Sequence, residues 1–112
     1  MGVGAHKACE AAGGIFIHLG DREVACIIPR RVKVKLEWYG EEEKVRELDR
    51  AVVFCGDIDL EYDEREGELE VDDGVVVGRV GDKLVVGYAA WGEYARWLEA
   101  GKEVKEHLRR II

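Results

Sequence analysis

The sequence predicts an α+β fold, with a mostly antiparallel sheet of about five to seven strands and a long C-terminal amphipathic helix packed on one face. Apolar and charged residues alternate over residues 31–38, as in a half-buried strand. Gly-Asp pairs at 20–21 and 81–82 separate apolar runs, as in two-residue β-hairpins. Apolar residues recur at helical spacing from Gly92 to the C-terminus.

The first half of the chain predicts an optional N-terminal helix, a hairpin, a third strand and a short helix. Pairing across the turn at 20–21 places Ile15 opposite Cys26 on the apolar face. Residues 41–50 predict the short helix, which precedes a strand at 51–55. The third strand has two faces, with Val32, Val34, Leu36 and Trp38 inward and Arg31, Lys33 and Lys35 outward.

The second half predicts an acidic hairpin at 57–72, an apolar hairpin at 75–90 and the long helix. The apolar hairpin has two apolar faces, so we expect it at the centre of the sheet. Gly78 and Gly87 make one of these faces smooth, and we expect the terminal helix to pack there. The helix stripe comprises Tyr94, Trp97, Leu98, Gly101, Val104, Leu108 and Ile111.

The order of these elements over residues 15–112 resembles that of profilin-like and Roadblock-like small domains. In those domains a five-stranded sheet is sandwiched by helices. The strand at 32–38 is an addition to that pattern. The resemblance concerns the fold and implies no site residue.

The composition excludes several kinds of chemistry. Ser, Thr, Asn and Gln are absent, and the only methionine is Met1. The chain therefore has no Ser or Thr nucleophile and no GK[ST] phosphate-binding loop. Loss of Asn, Gln and Met together with abundant Glu, Lys and Arg is typical of hyperthermophile proteins.

The length of 112 residues predicts a single compact domain over residues 1–112. With 24 acidic and 17 basic residues the net charge is −7, which disfavours nucleic acid and anionic membranes as partners. We find no apolar run of membrane-spanning length and no signal-peptide pattern, so we expect a cytoplasmic protein. Three widely spaced cysteines predict reduced thiols.

Asp57, Asp59 and Glu61 project from one strand of the acidic hairpin, and Glu68 and Glu70 are expected to face that strand. Positive charge is needed to offset the repulsion between these carboxylates, and it has three possible sources. The first is an ion-pair ladder with Arg31, Lys33 and Lys35 on a neighbouring strand, and the second is a basic protein partner. A divalent ion held by carboxylates is the third.

Trp91, Tyr94 and Trp97 form the densest aromatic group. One helix would not bury all three against its own sheet, which predicts a subunit interface or ligand groove. The alternative is that they belong to the core of one small domain.

These observations predict a non-catalytic binding or scaffolding protein, homodimeric and without cofactor or metal. The alternative is a small enzyme that depends on a cysteine or a metal and uses Cys9 or Cys55. The pair His6-x-x-Cys9 could contribute to a zinc site if His18, Cys26 or Cys55 joined it.

Overall fold

The structure, a computed structural model, describes residues 3–99, which form one helix and ten strands in two sheets. The helix, α1, spans Val3–Ala11. The strands are β1 Ile15–His18, β2 Glu23–Ile28, β3 Val32–Leu36, β4 Lys44–Leu48, β5 Arg50–Gly56, β6 Leu60–Asp63, β7 Glu68–Val71, β8 Asp73–Val80, β9 Lys83–Ala90 and β10 Tyr94–Glu99.

The larger sheet has six strands in the order β1-β2-β5-β8-β9-β10, and all neighbours are antiparallel. The hairpin of β8 and β9 lies inside this sheet, as predicted, and pairs Val80 with Lys83 across Gly81-Asp82. Gly81 has a φ of 59°, the value that a type II′ turn requires at its first central position. The sequence therefore predicted both this turn and its glycine.

The hairpin of β1 and β2 also forms, but its predicted register is wrong by one residue. Phe16, and not Ile15, lies opposite Cys26. The connection is longer than two residues, since Leu19 N–H donates to the Glu23 carbonyl at 2.9 Å. Arg22 in this loop has a φ of 66°. The longer loop shifts the pairing, because loop length fixes hairpin register.

The smaller sheet has four strands in the order β4-β3-β7-β6. Glu61 faces Glu70 and Asp63 faces Glu68 across β6 and β7, as predicted. The basic strand β3 does adjoin the acidic hairpin, but it pairs in parallel with β7. The predicted ladder with Asp57, Asp59 and Glu61 is therefore wrong, because the neighbours of β3 are β4 and β7.

Single residues carry the chain from one sheet to the other. Asp49 separates β4 from β5, and Asp72 separates β7 from β8. The Asp49 N–H donates to the Arg79 carbonyl at 2.7 Å, and its carboxylate accepts from the Gly81 N–H at 2.7 Å. Corners this short bring the inward faces of the two sheets together.

The core lies between these inward faces. The six-stranded sheet contributes buried side chains that include Val24, Cys26, Val53, Val76 and Val85, and the four-stranded sheet contributes Val34, Leu36, Leu48, Leu69 and Val71. Helix α1 adds Ala5, Ala8 and Cys9 where it lies beside β6 and β1. Burial of a valine or leucine side chain stabilises the fold by about 1.5–3 kcal/mol.

The predicted α+β class with a long C-terminal helix is wrong, since the described chain is mostly strand. Tyr94–Glu99, expected to begin that helix, forms β10 beside β9. A Cβ atom on Gly87 would lie 2.7 Å from the Trp97 ring, so the glycine makes room for this side chain. Pairing and packing at Gly87 outweigh the helical spacing of the sequence. The remainder of the predicted helix, 100–112, lies outside the described residues.

The short helix predicted at 41–50 is also wrong. Lys44–Leu48 is β4, and Leu48 is buried on its inward side. The resemblance to profilin-like and Roadblock-like domains is also wrong. Two packed sheets take the place of one sheet between helices. The prediction of one sheet with about five to seven strands is wrong, because the described strands form two sheets.

Within residues 3–99, no helix is both long enough and apolar enough to cross a bilayer. The radius of gyration is 13.0 Å. A compact chain of about 100 residues is expected to have a value of about 13 Å.

Candidate functional site

The side of the six-stranded sheet that faces away from the four-stranded sheet is apolar, and we call it the outer face. Cys26, Val53 and Val76 point into the core, so their neighbours along each strand point outward. The strand register aligns one outward residue from every strand in what we call the aliphatic row: Ile15, Ile27, Val52, Val77, Val86 and Leu98. All six side chains are aliphatic.

The next row across the outer face is also mainly apolar, and we call it the mixed row: Ile17, Ala25, Phe54, Val75, Tyr88 and Arg96. Arg96 is its only charged member. Phe54 is 42% exposed and Tyr88 is 41% exposed. The two rows together make a continuous apolar surface that crosses all six strands.

Local sequence explains why this surface is apolar. Val75, Val76 and Val77 follow one another in β8, so one valine enters the core and its two neighbours face outward. Large exposed apolar side chains are concentrated here. Six of the ten found in the described part of the chain lie on the outer face: Ile15, Ile17, Phe54, Tyr88, Tyr94 and Leu98.

The two ends of the outer face carry opposite charges. Beyond the aliphatic row, Arg50 and Arg79 lie opposite each other on β5 and β8. Beyond the mixed row, Glu23 on β2 and Asp73 on β8 occupy the other end. Within residues 3–99, none of these four side chains forms an ion pair.

Two depressions indent the outer face. One, with a volume of about 440 Å³, lies over β8, β9 and β10 and is lined by Val75, Tyr88, Tyr94 and Leu98 among others. The second, about 480 Å³, lies at the acidic end, and its lining includes Glu23, Phe54, Cys55, Asp59 and Asp73. The outer face therefore offers one mainly apolar depression and one with an acidic lining.

Asp59, a predicted site residue, is only 7% exposed beside the second depression. A Cβ atom on Gly56 would lie 2.4 Å from its Oδ2, so any larger residue there would require the Asp59 carboxylate to move. Its Oδ1 is buried without a hydrogen-bond partner among the described residues. Burial, with the nearby Asp73 charge adding to it, raises the pKa of Asp59.

Asp57 and Glu61 do not join Asp59 in one site. Asp57 lies in the connection between β5 and β6, and its N–H donates to the Arg22 carbonyl at 3.0 Å. Glu61 lies on the outward side of the four-stranded sheet, opposite Glu70. The three predicted carboxylates are therefore dispersed, and contact with a basic partner stays a prediction.

A separate acidic group surrounds Glu70. Burial, together with a hydrogen bond to the Glu37 carboxyl and its charge, raises the pKa of Glu70 to about 7. Burial, with Glu61 and Glu37 nearby, raises the pKa of Asp72 to about 6. These groups take up protons near neutral pH, because burial and the neighbouring carboxyls both disfavour the charged form.

Cys9 and Cys26 form a disulfide that joins α1 to β2. The prediction of reduced thiols is therefore wrong. Sequence spacing gave no signal for this bond, because the two cysteines are 17 residues apart and meet only when α1 packs on the sheet. Bonded to Cys26, the sulfur of Cys9 is neither a thiolate nucleophile nor a zinc ligand.

Cys55 carries no disulfide and is buried on β5. Burial raises the pKa of the Cys55 thiol to about 12, and the negative charges of Asp59, Asp57, Asp72 and Asp73 contribute to the increase. The side chain is therefore a thiol at neutral pH. A nucleophilic cysteine requires the opposite change, a lowered pKa.

The three predicted aromatic residues lie in different environments. Tyr94 is 49% exposed on the outer face, and Trp91 is 57% exposed in the β9–β10 turn. Trp97 faces inward, and its Nε1–H donates to the Lys44 carbonyl at 3.1 Å. Alternation along β10 separates Tyr94 from Trp97. Only Tyr94 therefore contributes to the apolar surface.

The sequence contained a signal for the outer face that helical spacing obscured. The bulky face of the apolar hairpin was predicted to hold Val75, Val77, Leu84, Val86 and Tyr88. Because both hairpin faces are apolar, burial on both sides was the expectation. The structure buries the face with Val76 and Val85. On the other face it buries Leu84 at one end and leaves Tyr88 41% exposed.

Among residues 3–99, no group of three or more His, Cys, Asp or Glu side chains could hold a metal ion. No protein-family model, curated protein or solved structure matches this chain. The functional argument therefore depends on the geometry of the outer face.

Proposed function

We propose that this chain is a non-catalytic binding or scaffolding protein that forms a homodimer through the outer face of its six-stranded sheet. One observation carries the proposal: the aliphatic row contributes an apolar side chain from each of the six strands. Such a row is typical of sheet faces that pack against another protein layer.

The size of the apolar surface fits an association site. Strands about 4.8 Å apart and outward residues about 7 Å apart give the two rows a footprint of roughly 400 Å² on the sheet. The exposed apolar area is smaller than this footprint, since Ala25, for example, is only 3% exposed. The largest apolar patch on a monomer is about 300–600 Å² and is often functional. Tyr94 and Ala90 extend the surface beyond the mixed row. Exposed tyrosine and phenylalanine are also typical of interface centres.

The cysteines support a binding role over the enzymatic alternative. Cys9 is held in a disulfide and the pKa of Cys55 is about 12. Thiolate chemistry is therefore disfavoured at both positions that the alternative uses. A thiol titration of the unreduced protein should find no fast-reacting group when folded and one thiol per chain when unfolded.

The test is the mass of the protein in solution. Sedimentation of the wild-type chain at about 100 μM, a hundredfold above a micromolar Kd, should give a dimer. Val77→Glu places a charge in the middle of the aliphatic row and should give a folded monomer. Val45→Glu is the matched control, because Val45 lies on the outward side of the four-stranded sheet beside Lys35. It should leave the dimer intact.

Tyr88→Glu provides a second, independent variant in the mixed row and should also give a monomer. Circular dichroism checks that each variant is folded. A wild-type chain that is monomeric at about 100 μM, a concentration at which micromolar dimers form, would overturn the proposal. A dimer that survives both Val77→Glu and Tyr88→Glu would also overturn it.

A further inference from the structure

We propose that the depression at the acidic end of the outer face binds a small organic cation, an ammonium or guanidinium group on an apolar stem, with Asp59, Asp73 and Glu23 as its anionic partners. The inference goes beyond the proposed function and does not depend on it, because every residue of this site belongs to one copy of the chain. It follows from a buried carboxylate without a partner, from the charges around it and from the apolar walls of the depression.

Asp59 supplies the observation that points to a ligand. It lines the depression although it is only 7% exposed, and its Oδ1 has no hydrogen-bond partner among the described residues. The other carboxylate oxygen, Oδ2, lies against Gly56, which lines the same depression. A buried carboxylate is costly unless it is hydrogen-bonded and paired with a positive charge. A cation that enters the depression would supply both.

No basic side chain in the described part of the chain supplies that positive charge. The lining of the depression includes Asp59, Asp73 and Glu23 but no lysine or arginine. Within residues 3–99, none of these three carboxylates takes part in an ion pair. Arg22 adjoins Gly56 through its backbone carbonyl oxygen, which is a further acceptor. The described groups therefore leave the acidic depression without a neutralising partner.

Two groups in the depression respond to the excess of negative charge. Burial, with the charges of Asp73 and Asp57 adding to it, raises the pKa of Asp59. Burial and then the charges of nearby aspartates, Asp59 first, raise the pKa of the Cys55 thiol to about 12. An opposite charge within a few ångströms favours the ionised form of a carboxyl. A bound cation would therefore reverse the electrostatic penalty at Asp59.

The size and walls of the depression favour an organic cation over a metal ion. In the part of the chain that the structure describes, no three His, Cys, Asp or Glu side chains come together as metal ligands. The volume of about 480 Å³ is far larger than one ion fills and is within the usual range of small-molecule sites. Leu19, Val24 and Phe54 provide apolar walls for an alkyl stem. Phe54 is 42% exposed and also offers an aromatic ring to a cation.

Titration with n-butylammonium and with n-butylguanidinium tests the site. NMR shifts of the backbone amides of Gly56 and Gly74 report on binding, because both residues line the depression. We expect saturable shifts with both cations and weaker binding at high salt, which screens the attraction. n-Butanol has the same stem without the charge and should give no saturable shift. Magnesium chloride and calcium chloride should give none either.

Substitution of the buried carboxylate provides the decisive comparison. Asp59→Asn keeps the shape of the side chain and should weaken n-butylammonium binding roughly tenfold or more, as expected for loss of a charged hydrogen-bond partner. Asp73→Asn should also weaken binding, because the charge of Asp73 acts on Asp59. Asp82→Asn, in the exposed turn between β8 and β9, is the matched control and should leave the Kd unchanged. Circular dichroism checks that each variant is folded.

A short peptide distinguishes the two sources of this chemistry. If acetyl-Gly-Arg-Gly-amide binds at least as tightly as n-butylguanidinium, the site takes an arginine side chain of a protein, and if the peptide binds more weakly, the site takes a small molecule. Equal binding of n-butanol, tighter binding of magnesium or calcium than of either organic cation, or an unchanged Kd in Asp59→Asn would overturn the inference. A monomeric wild-type chain would overturn the dimer alone.

Discussion

The two sheets present inward faces of the same kind and outward faces of opposite kinds. The outward side of the four-stranded sheet alternates charge from strand to strand, with Lys33 between Glu47 and Glu68 and Lys35 beside Glu70. The outer face of the six-stranded sheet carries the aliphatic row instead. One face is suited to water and the other to a second protein layer.

Along a strand, the residues that face the core and the residues that face outward can differ in polarity independently of each other. Val34, Leu69 and Val76 are each 0% exposed whichever sheet they belong to. Their outward neighbours differ, since β3 and β7 use Lys and Glu while β8 uses valine. The core therefore sets the fold, and the outward residues decide where the molecule associates.

The largest expected effect tests the inward side. Leu48→Ala removes a fully buried side chain whose Cδ1 lies 2.7 Å from the Cβ position of Gly78 in the other sheet. The loss should be about 2–5 kcal/mol in the free energy of unfolding. The matched control is Glu47→Ala, its outward neighbour, which should change stability by no more than about 0.5–1 kcal/mol. Equal urea midpoints for the two variants would show that β4 is turned the other way.

Reduction of the Cys9–Cys26 disulfide tests how α1 is joined to the six-stranded sheet. The bond closes a loop with a sequence separation of 17, for which chain entropy predicts about 3 kcal/mol of stabilisation. Urea unfolding with and without reductant measures the difference. Cys55→Ala should show the same difference, because Cys55 is outside the bond. If reductant has no effect on the midpoint, α1 is held by packing alone.

Charge reversal tests the outward side of the four-stranded sheet. Lys33→Glu would place a carboxylate directly between Glu47 and Glu68, and should lower the free energy of unfolding by about 1–3 kcal/mol at low salt. Lys33→Gln removes the charge without reversing it and should lose less. The loss should shrink in high salt, which screens charges beyond a few ångströms. A salt-independent loss would point to packing of the lysine stem instead.

Proton uptake at Glu70 gives the smallest expected effect. Its pKa is raised from 4.5 to about 7 when folded, so the folded state binds this proton more tightly. The resulting stability is present below about pH 4.5 and is lost as pH rises to about 7. Glu70→Gln should flatten this decline and stabilise the protein at pH 8 by on the order of 1 kcal/mol, because solvent screens part of the repulsion.

Thermal unfolding at several pH values provides the measurement. Glu64→Gln, in the exposed turn between β6 and β7, is the matched control and should keep the wild-type pH dependence. The same decline in Glu70→Gln as in the wild type would assign the effect to Asp72, whose pKa is about 6.

Strand-level features were predictable where local chemistry decides them. The turn at Gly81-Asp82 and the facing of Glu61 with Glu70 depend on turn geometry and period-two alternation. The strands that replace the helices predicted at 41–50 and from Gly92 were not predictable in this way. In the second segment, residues such as Tyr94, Trp97 and Leu98 fit either a helical or an alternating pattern. Packing of Trp97 on Gly87 decided between them.

The candidate site shows the same division. The sequence identified Tyr94 as an interface residue and placed the outward valines of the apolar hairpin on one face. It grouped Trp91 and Trp97 with Tyr94 because helical spacing joins residues that a strand separates. It grouped Asp57, Asp59 and Glu61 because they share a strand face, whereas β6 begins only at Leu60.

By itself, the sequence determined which residues are apolar, where the tight turns fall and which chemistry is excluded by the absence of Ser, Thr, Asn and Gln. These are properties of single residues and near neighbours. Tertiary structure alone decided that the strands divide between two sheets, that Cys9 meets Cys26, and that side chains such as Phe54 and Tyr88 on the outer face stay partly exposed. The physical reason is that exposure and long-range pairing depend on which other segments cover a residue, and local periodicity contains no information about them.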